Sequence, residues 1–410
     1  MTRTATTTAL ALFLAAGAAQ AQQQYELHVI EALSTFGIPE AYLSDINEHG
    51  RAVGSMTYTV QLPSGSYSTT YKAYEWTVAD GPIVDVDYPS FNAINNHGDV
   101  LAQGGIRLAS GGTLGVPVLP GDRWVSSASL NDHLVVGGSS YLSSRSGCRY
   151  TREAFYWTPS GGAIGLETQI GIASAETVSA VNNNAQLVGY ISHSGICSDA
   201  KAYYYDIAAS EHIDLNMLLN GDTGGSNAYD ISDAGIVSGE GWTGSAIRAW
   251  TWTRDGGFVL LDGLAPAELD RATPYAVNSN GVSVGMAFDG SAWNATMWSP
   301  DGAITNLNDL VSAPGGFILD RATAINDRGD IVGFGHFGPG WAPAVAFYLE
   351  AIGEACAADF DGDGALTLFD FLAFQNAFDA GDAAADFDGD GELTLFDFLA
   401  FQNAFDAGCP

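Results

Sequence analysis

Lysine is almost missing from this chain. Only Lys72 and Lys201 occur in 410 residues, and with the arginines there are 14 basic side chains against 47 acidic ones, a net charge of −33. A surface of that sign repels phosphate backbones and anionic lipid, so nucleic acid and anionic lipid are poor partners and no nucleic-acid partner is expected. Long apolar runs are scarce too. The only one of note, Ala9 to Ala16 behind Arg3, is too short to span a bilayer and leads into Ala19-Gln20-Ala21, a small-x-small cleavage site. Residues 1–21 therefore read as an export signal, with a mature chain starting near Gln22 and no membrane span. Catalytic signatures are also missing: there is no HExxH, no GxSxG and no P-loop. The GxGxxG match GFGHFG (333–338) lies among strand signals with no helix after it.

Cysteine is rare but even in number, at Cys148, Cys197, Cys356 and Cys409, which suits disulfides in an exported chain. Local pairing joins 356 with 409 and 148 with 197, although four cysteines allow three connectivities.

What is abundant is repetition. A phrase of the form A-x-I-N-x-x-G-x-I-V-G recurs seven times, with turn-opening residues Asn47, Asn95, Asn131, Asn182, Ser232, Asn278 and Asn326 at steps of 48, 36, 51, 50, 46 and 48 residues. Its flanks alternate apolar and polar residues, as strands do. Asparagine followed by glycine is hairpin chemistry, since the side chain bonds nearby backbone and glycine accepts positive φ. A second, aromatic phrase follows in most copies, as in AYEWT (73–77), AFYWT (154–158) and AWTWT (249–253). Four short strands per unit at this period indicate an all-β propeller over residues 22–350. Seven blades are expected, with six or eight left open because the second unit is short. The lone strand 25–33 resembles a fourth blade strand. The last unit lacks one, so the N-terminus is expected to close the ring.

Tryptophan falls into two groups. Trp76, Trp157, Trp252 and Trp298 recur in phase within strands and read as packing residues. Trp242, Trp293 and Trp341 lie in Gly-rich connections of consecutive units and form a candidate ligand-binding rim, suited to stacking on sugar rings. Glu240 and Asp289 are the nearby carboxylates. His49, His97 and His133 read as turn residues of separate blades.

After a short linker (351–357), residues 358–410 contain one segment written twice. The copies 358–381 and 385–408 differ only at Ala365 versus Glu392. Each opens with alternating carboxylates, then a glycine, then a carboxylate at position 12. The oxygen donors are Asp359, Asp361, Asp363, the Ala365 carbonyl, Thr367 and Asp370 in the first loop. In the second they are Asp386, Asp388, Asp390, the Glu392 carbonyl, Thr394 and Asp397. Calcium takes six to eight such oxygens in flexible geometry, so two calcium ions are expected. Residues 359–410 hold 12 acidic side chains and no lysine or arginine, which disfavours the loops without a cation. Each loop is followed by the stretch FDFLAFQNAF, whose phenylalanines are expected to form a small shared core.

These patterns carry two family resemblances. The repeat resembles the HAF repeats of exported bacterial proteins, with Lys72-Ala73-Tyr74, Glu153-Ala154-Phe155, Lys201-Ala202-Tyr203 and Arg248-Ala249-Trp250 in place of His-Ala-Phe. The doubled segment resembles the dockerin module, in particular the dockerin-like modules that end in Gly-Cys, here Gly408-Cys409. The resemblance implies a calcium-dependent dock onto a cohesin-like or cell-envelope partner. Dockerins often carry Ser-Thr just before the closing aspartate. Here those positions are Leu368-Phe369 and Leu395-Phe396, a more apolar candidate docking face. The resulting expectation is a secreted or cell-surface, non-catalytic binding or scaffold protein that contacts carbohydrate. The alternative is a tethered carbohydrate-active hydrolase with its site on the propeller rim.

Overall fold

The computed structural model describes residues 24–32, 40–62, 64–146, 149–166, 175–192, 200–221, 224–243, 247–266, 271–338, 342–352, 358, 360, 367–387 and 393–407. Residues 1–21, expected to be an export signal, and all four cysteines lie outside the described residues. The chain divides into two units, one running from Tyr25 to Ala351 and the other containing Ile352–Pro410.

The first unit is a seven-bladed β-propeller. Six blades follow in chain order as four-stranded antiparallel sheets, the first spanning Ala41–Asp85 and the sixth Ala272–Asn306, and the seventh joins the N-terminal strand to the last three. Strand β1 (Gln24–Ile30) thus completes the blade formed by β26 (Phe317–Ile325), β27 (Ile331–Phe337) and β28 (Val345–Ile352), closing the ring as the sequence suggests. The short second repeat is a full blade whose strands, from β6 (Phe91–Ile94) to β9 (Thr113–Gly115), are only three or four residues long.

The recurrent phrase is the inner hairpin of each blade, and each of its residues has a mechanical task. Asparagine joins neighbouring blades. The Asn47 amide donates to the carbonyl of Asn95, Asn95 to Asn131, Asn131 to Asn182 and Asn182 to Ser232. The chain resumes from Asn278 to Asn326, and Asn326 returns to Asn47. The amide oxygen meanwhile folds its own turn, as Asn131 Oδ1 does by accepting the N–H groups of His133 and Val135. Only serine at 232 interrupts the ring. A second ring runs beside it from the next residue, with Asn96, Asp132, Asn183 and Asp233 accepting a backbone N–H from the preceding blade.

The last glycine of the phrase faces a β-bulge in the inner strand. A Cβ at Gly54 would lie 1.9 Å from the Tyr42 carbonyl oxygen, and one at Gly285 would lie 1.9 Å from that of Thr273. A side chain there would collide with backbone, so the bulge and the glycine require each other.

The Ala-aromatic phrase is the contact between blades. Phe155 enters the cluster of Ala93 and Leu101 in the preceding blade, while Ala154 faces Val178 and Tyr203 of the next. Trp250 against Ala202, Phe347 against Ala295 and Tyr74 against Ala346 repeat the arrangement. At these four junctions (Ala154–Tyr203, Ala202–Trp250, Ala295–Phe347 and Ala346–Tyr74) a small residue leaves the hollow that the next blade's ring fills, burying an aromatic side chain worth about 2–3 kcal/mol. The in-phase tryptophans Trp76, Trp157, Trp252 and Trp298 are all buried, as expected of packing residues.

In the second unit, helices α2 (Leu368–Ala380) and α3 (Leu395–Ala407) carry the duplicated sequence. (α1, Leu215–Asn220, belongs to the propeller.) The equivalent rings Phe374 and Phe401 stack in parallel with centroids 4.1 Å apart, and both are fully buried. Phe360 and Phe387 stand edge-on to them at 5.4 Å each, as a pseudo-two-fold axis between two near-identical copies requires.

The asparagine ring predicts two opposite outcomes. Asn131→Ala removes the link to the next blade and strands two backbone donors, costing about 2–3 kcal/mol in urea unfolding. Ser232→Asn restores the interrupted link toward Asn278 and is expected to stabilise the propeller by about 1 kcal/mol.

Candidate functional site

The antiparallel order divides the propeller ends. Numbering the strands of a blade a to d outward from the axis, the a–b and c–d turns lie on one face. The b–c turns and the d–a connections lie on the other.

At the a–b face, the seven inner hairpins surround a cavity of about 170 Å³ on the axis. Asp45 and Asp230 line it with Glu48, Asp132, Asp233 and Asp327, and no basic residue is among its lining. Asp45 and Asp230 stand at the same repeat position, where other blades have alanine or serine. Each bridges to the next blade, Asp45 Oδ2 accepting from Ile94 N–H at 2.9 Å and Asp230 Oδ2 from Val277 N–H at 2.8 Å. Burial pushes the Asp45 carboxyl up to about 7, partly offset by its backbone hydrogen bonds, and Asp230 adds to the rise. The same burial raises Asp230 to about 6. Most of these groups are already engaged in interblade bonds, so this end of the channel is an acidic seal. His49, His97 and His133 sit exposed in the surrounding turns.

The b–c face is different in chemistry. Trp242 ends β19 (Val237–Trp242) at 39% exposure, and Trp293 opens β24 (Trp293–Trp298) at 37%, on adjacent blades of that face. Trp341 falls outside the described residues. The sequence reading did not single out Trp124, which is 52% exposed on the same face and stacks on Tyr141 with centroids 3.6 Å apart. It stands at the start of an inner strand, out of phase with the aromatic phrase, so periodicity gives no cue to it.

Deeper in this mouth lies an aromatic and charged cluster from blades five, six, seven and one. Tyr229 and Tyr275 are 5.7 Å apart, and Tyr42 meets Phe334 edge-on at 5.1 Å. Between Tyr275 and Phe334 sits the guanidinium of Arg321, 4.8 Å from one ring and 5.3 Å from the other. Glu240 lies alongside. Its two oxygens accept hydrogen bonds from the Tyr229 hydroxyl at 2.7 Å and the Thr273 hydroxyl at 2.9 Å. Asp289 is held by the N–H groups of Ser291 and Ala292, which lower its pKa to about 2. One carboxylate is thus occupied by neighbouring hydroxyls and the other ties down its own turn. Asp289, held in its ionised form, is not the raised-pKa acid that glycoside hydrolysis needs.

In the duplicated unit, the closing aspartates Asp370 and Asp397 are fully buried in the first turns of α2 and α3. Asp397 Oδ2 accepts from Thr394 N–H at 2.7 Å, and its Oδ1 from Phe387 N–H at 2.8 Å. Asp370 Oδ2 accepts from Thr367 N–H at 2.7 Å. The Thr394 hydroxyl accepts from Phe396 N–H, so positions 9 and 12 of the second loop also form a helix-capping box. Asp386 is described as well. Asp359, Asp361, Asp363, Ala365, Asp388, Asp390 and Glu392 lie outside the described residues. Asp370 and Asp397, each closing a segment rich in oxygen donors in the sequence, are carboxylates of the kind calcium takes. At the start of the helices, Leu368, Leu395 and Phe396 are 69, 68 and 69% exposed. Phe369 begins α2 with them.

No family model and no characterised protein matches this chain in sequence. Among solved structures, an acylaminoacyl peptidase of Pyrococcus horikoshii is similar over 76% of this chain at 12% identity, with a TM-score of 0.45. The present chain spans about half of that enzyme, 52% of its length. A copper-bound fungal alcohol oxidase of the AA5 family is similar over 83% of this chain and 78% of its own, at 12% identity and a TM-score of 0.44. A glycosyl hydrolase of Bacteroides ovatus is similar over 80% and 84%, at 8% identity and a TM-score of 0.24. At these values no chemistry carries over to this chain.

The raised carboxyls predict a pH dependence. Between about pH 4 and 7 the folded protein retains protons on Asp45 and Asp230 that the unfolded chain releases, so stability falls as pH rises through that window. Wild type should lose roughly 2–5 °C in melting temperature between pH 5 and 8, and the Asp45→Asn, Asp230→Asn double variant should lose less.

Proposed function

We propose that this chain is an exported, non-catalytic binding protein. The propeller presents its b–c face to a carbohydrate ligand. The duplicated C-terminal unit, folded around two calcium ions, docks onto a cohesin-like or cell-envelope protein. The observation that carries this reading is the exposure of Leu368, Leu395 and Phe396 beside a core that is already filled by phenylalanines from both copies. Large apolar side chains that a small domain leaves in water, at equivalent positions of a duplicated segment, form a contact surface rather than surplus core. The pseudo-two-fold relation supports two alternative docking orientations.

Calcium supplies the positive charge that lets the loop carboxylates approach one another. Asp370 and Asp397 anchor each loop to its helix. With calcium removed, the acidic loops repel and the presentation of Leu395 and Phe396 is lost. A tethered hydrolase is the competing reading. Glu240 and Asp289 in their observed bonding speak for binding without turnover.

Capture from envelope and culture-fluid proteins of the source organism tests the docking half, with the full chain as bait. A partner retained in calcium, released by EDTA and reduced about tenfold or more by the Leu395→Asp, Phe396→Asp double variant is the expected result. Equal capture by the double variant would remove the docking face. Reducing ends released from a polysaccharide panel by the purified chain would turn the assignment toward the hydrolase.

A further inference from the structure

In a chain with 47 acidic side chains, an arginine without a carboxylate needs a reason. Arg51, Arg107, Arg254 and Arg328 each hold one. Arg321 does not. Among the described residues its guanidinium makes no ion pair and no hydrogen bond, and only the rings of Tyr275 and Phe334 hold it. The nearby carboxylates are engaged elsewhere. Asp320 Oδ2 pairs with His336 Nδ1 at 2.7 Å, and Glu240 accepts from Tyr229 and Thr273.

A guanidinium has five N–H donors in a rigid fork, and ring faces satisfy none of them. The aromatic clamp fixes the plane of the group while leaving its donors for water or a ligand. Arg321 lies on the inner strand β26, and Tyr275 on β22 (Ala272–Val277) of the adjacent blade, so the fork is held between the inner strands of two neighbouring blades. Exposed indoles, which stack on sugar faces, lie on the same face. We infer that Arg321 is the carboxylate-recognition residue of this mouth, and that the ligand is an acidic saccharide whose uronate group pairs with the fork in a bidentate manner. This deepens the carbohydrate-binding reading and rests on it. The acidic remainder of the protein repels such a ligand, which confines productive contact to this point.

The test is calorimetric titration of the calcium-saturated full chain. The probes are a galacturonate trisaccharide and the same trisaccharide with its carboxylates reduced to alcohols. Wild type is expected to bind the uronate form about tenfold or more tightly than the reduced form. Arg321→Gln should erase that ratio and leave the affinity for the reduced sugar unchanged. Arg321→Lys, which keeps the charge without the fork, should retain only part of it. Trp293→Ala should weaken both sugars alike. A uronate preference unaltered in Arg321→Gln overturns the role of Arg321 while the sugar-binding reading stands. Should the glutamine variant not fold, an unaltered preference in Arg321→Lys overturns it equally. Failure of the wild type to bind either sugar overturns both.

Discussion

Blade-to-blade bonding at the axis is the constraint on which this propeller depends. Seven wedges of sheet close into a ring only if each inner hairpin is held at a fixed distance from the next, and here a single asparagine does this. Its amide group reaches forward to the neighbouring carbonyl while its oxygen shapes its own turn. The final step, Asn326 to Asn47, joins residues 279 apart in sequence and leaves the circle open only at Ser232. The aromatic contacts farther out supply burial energy, but side chains in an apolar hollow tolerate sliding. The directional bonds at the axis do not, so they set the angle between blades.

Much of this could be read from the sequence, for a physical reason. The turn asparagine has one task in every blade, so it recurs at almost every position, and counting asparagines counts blades. The same holds for the Ala-aromatic pair. The unpaired N-terminal strand was readable because a ring needs a complete last sheet. The second blade was harder, since its strands are so short that alternation barely registers and only the asparagine betrays it.

The residues that distinguish one blade from another were not readable. Asp45 and Asp230 occupy a position where siblings carry alanine or serine, and in sequence they look like ordinary acidic residues. Their meaning depends on facing each other across a channel that unites distant segments. Arg321 is hidden in the same way. Its neighbours Tyr275 and Phe334 come from another blade and another strand, and no spacing rule connects them. Glycine at the end of the repeat phrase was visible as a repeat, but its cause, a bulge in the opposing strand, belongs to the sheet. In the C-terminal unit, the duplication was plain because the two copies are nearly identical, and the parallel stack of Phe374 on Phe401 follows from it.

Ring closure by the N-terminal strand also has a mechanical side. The chain leaves the propeller through β28, which is flanked by β1 on one side and β27 on the other. Any pulling force transmitted from the C-terminal unit therefore enters at an interior strand. It must shear two ladders at once rather than unzip an exposed edge one bond at a time. His28 on β1 braces this seam, bonded to Glu350 on β28 at 3.1 Å and packed against Trp76 of the first blade. An arrangement that solves a topological problem for the ring thus also places the exit toward the C-terminal unit on a strand bonded along both edges.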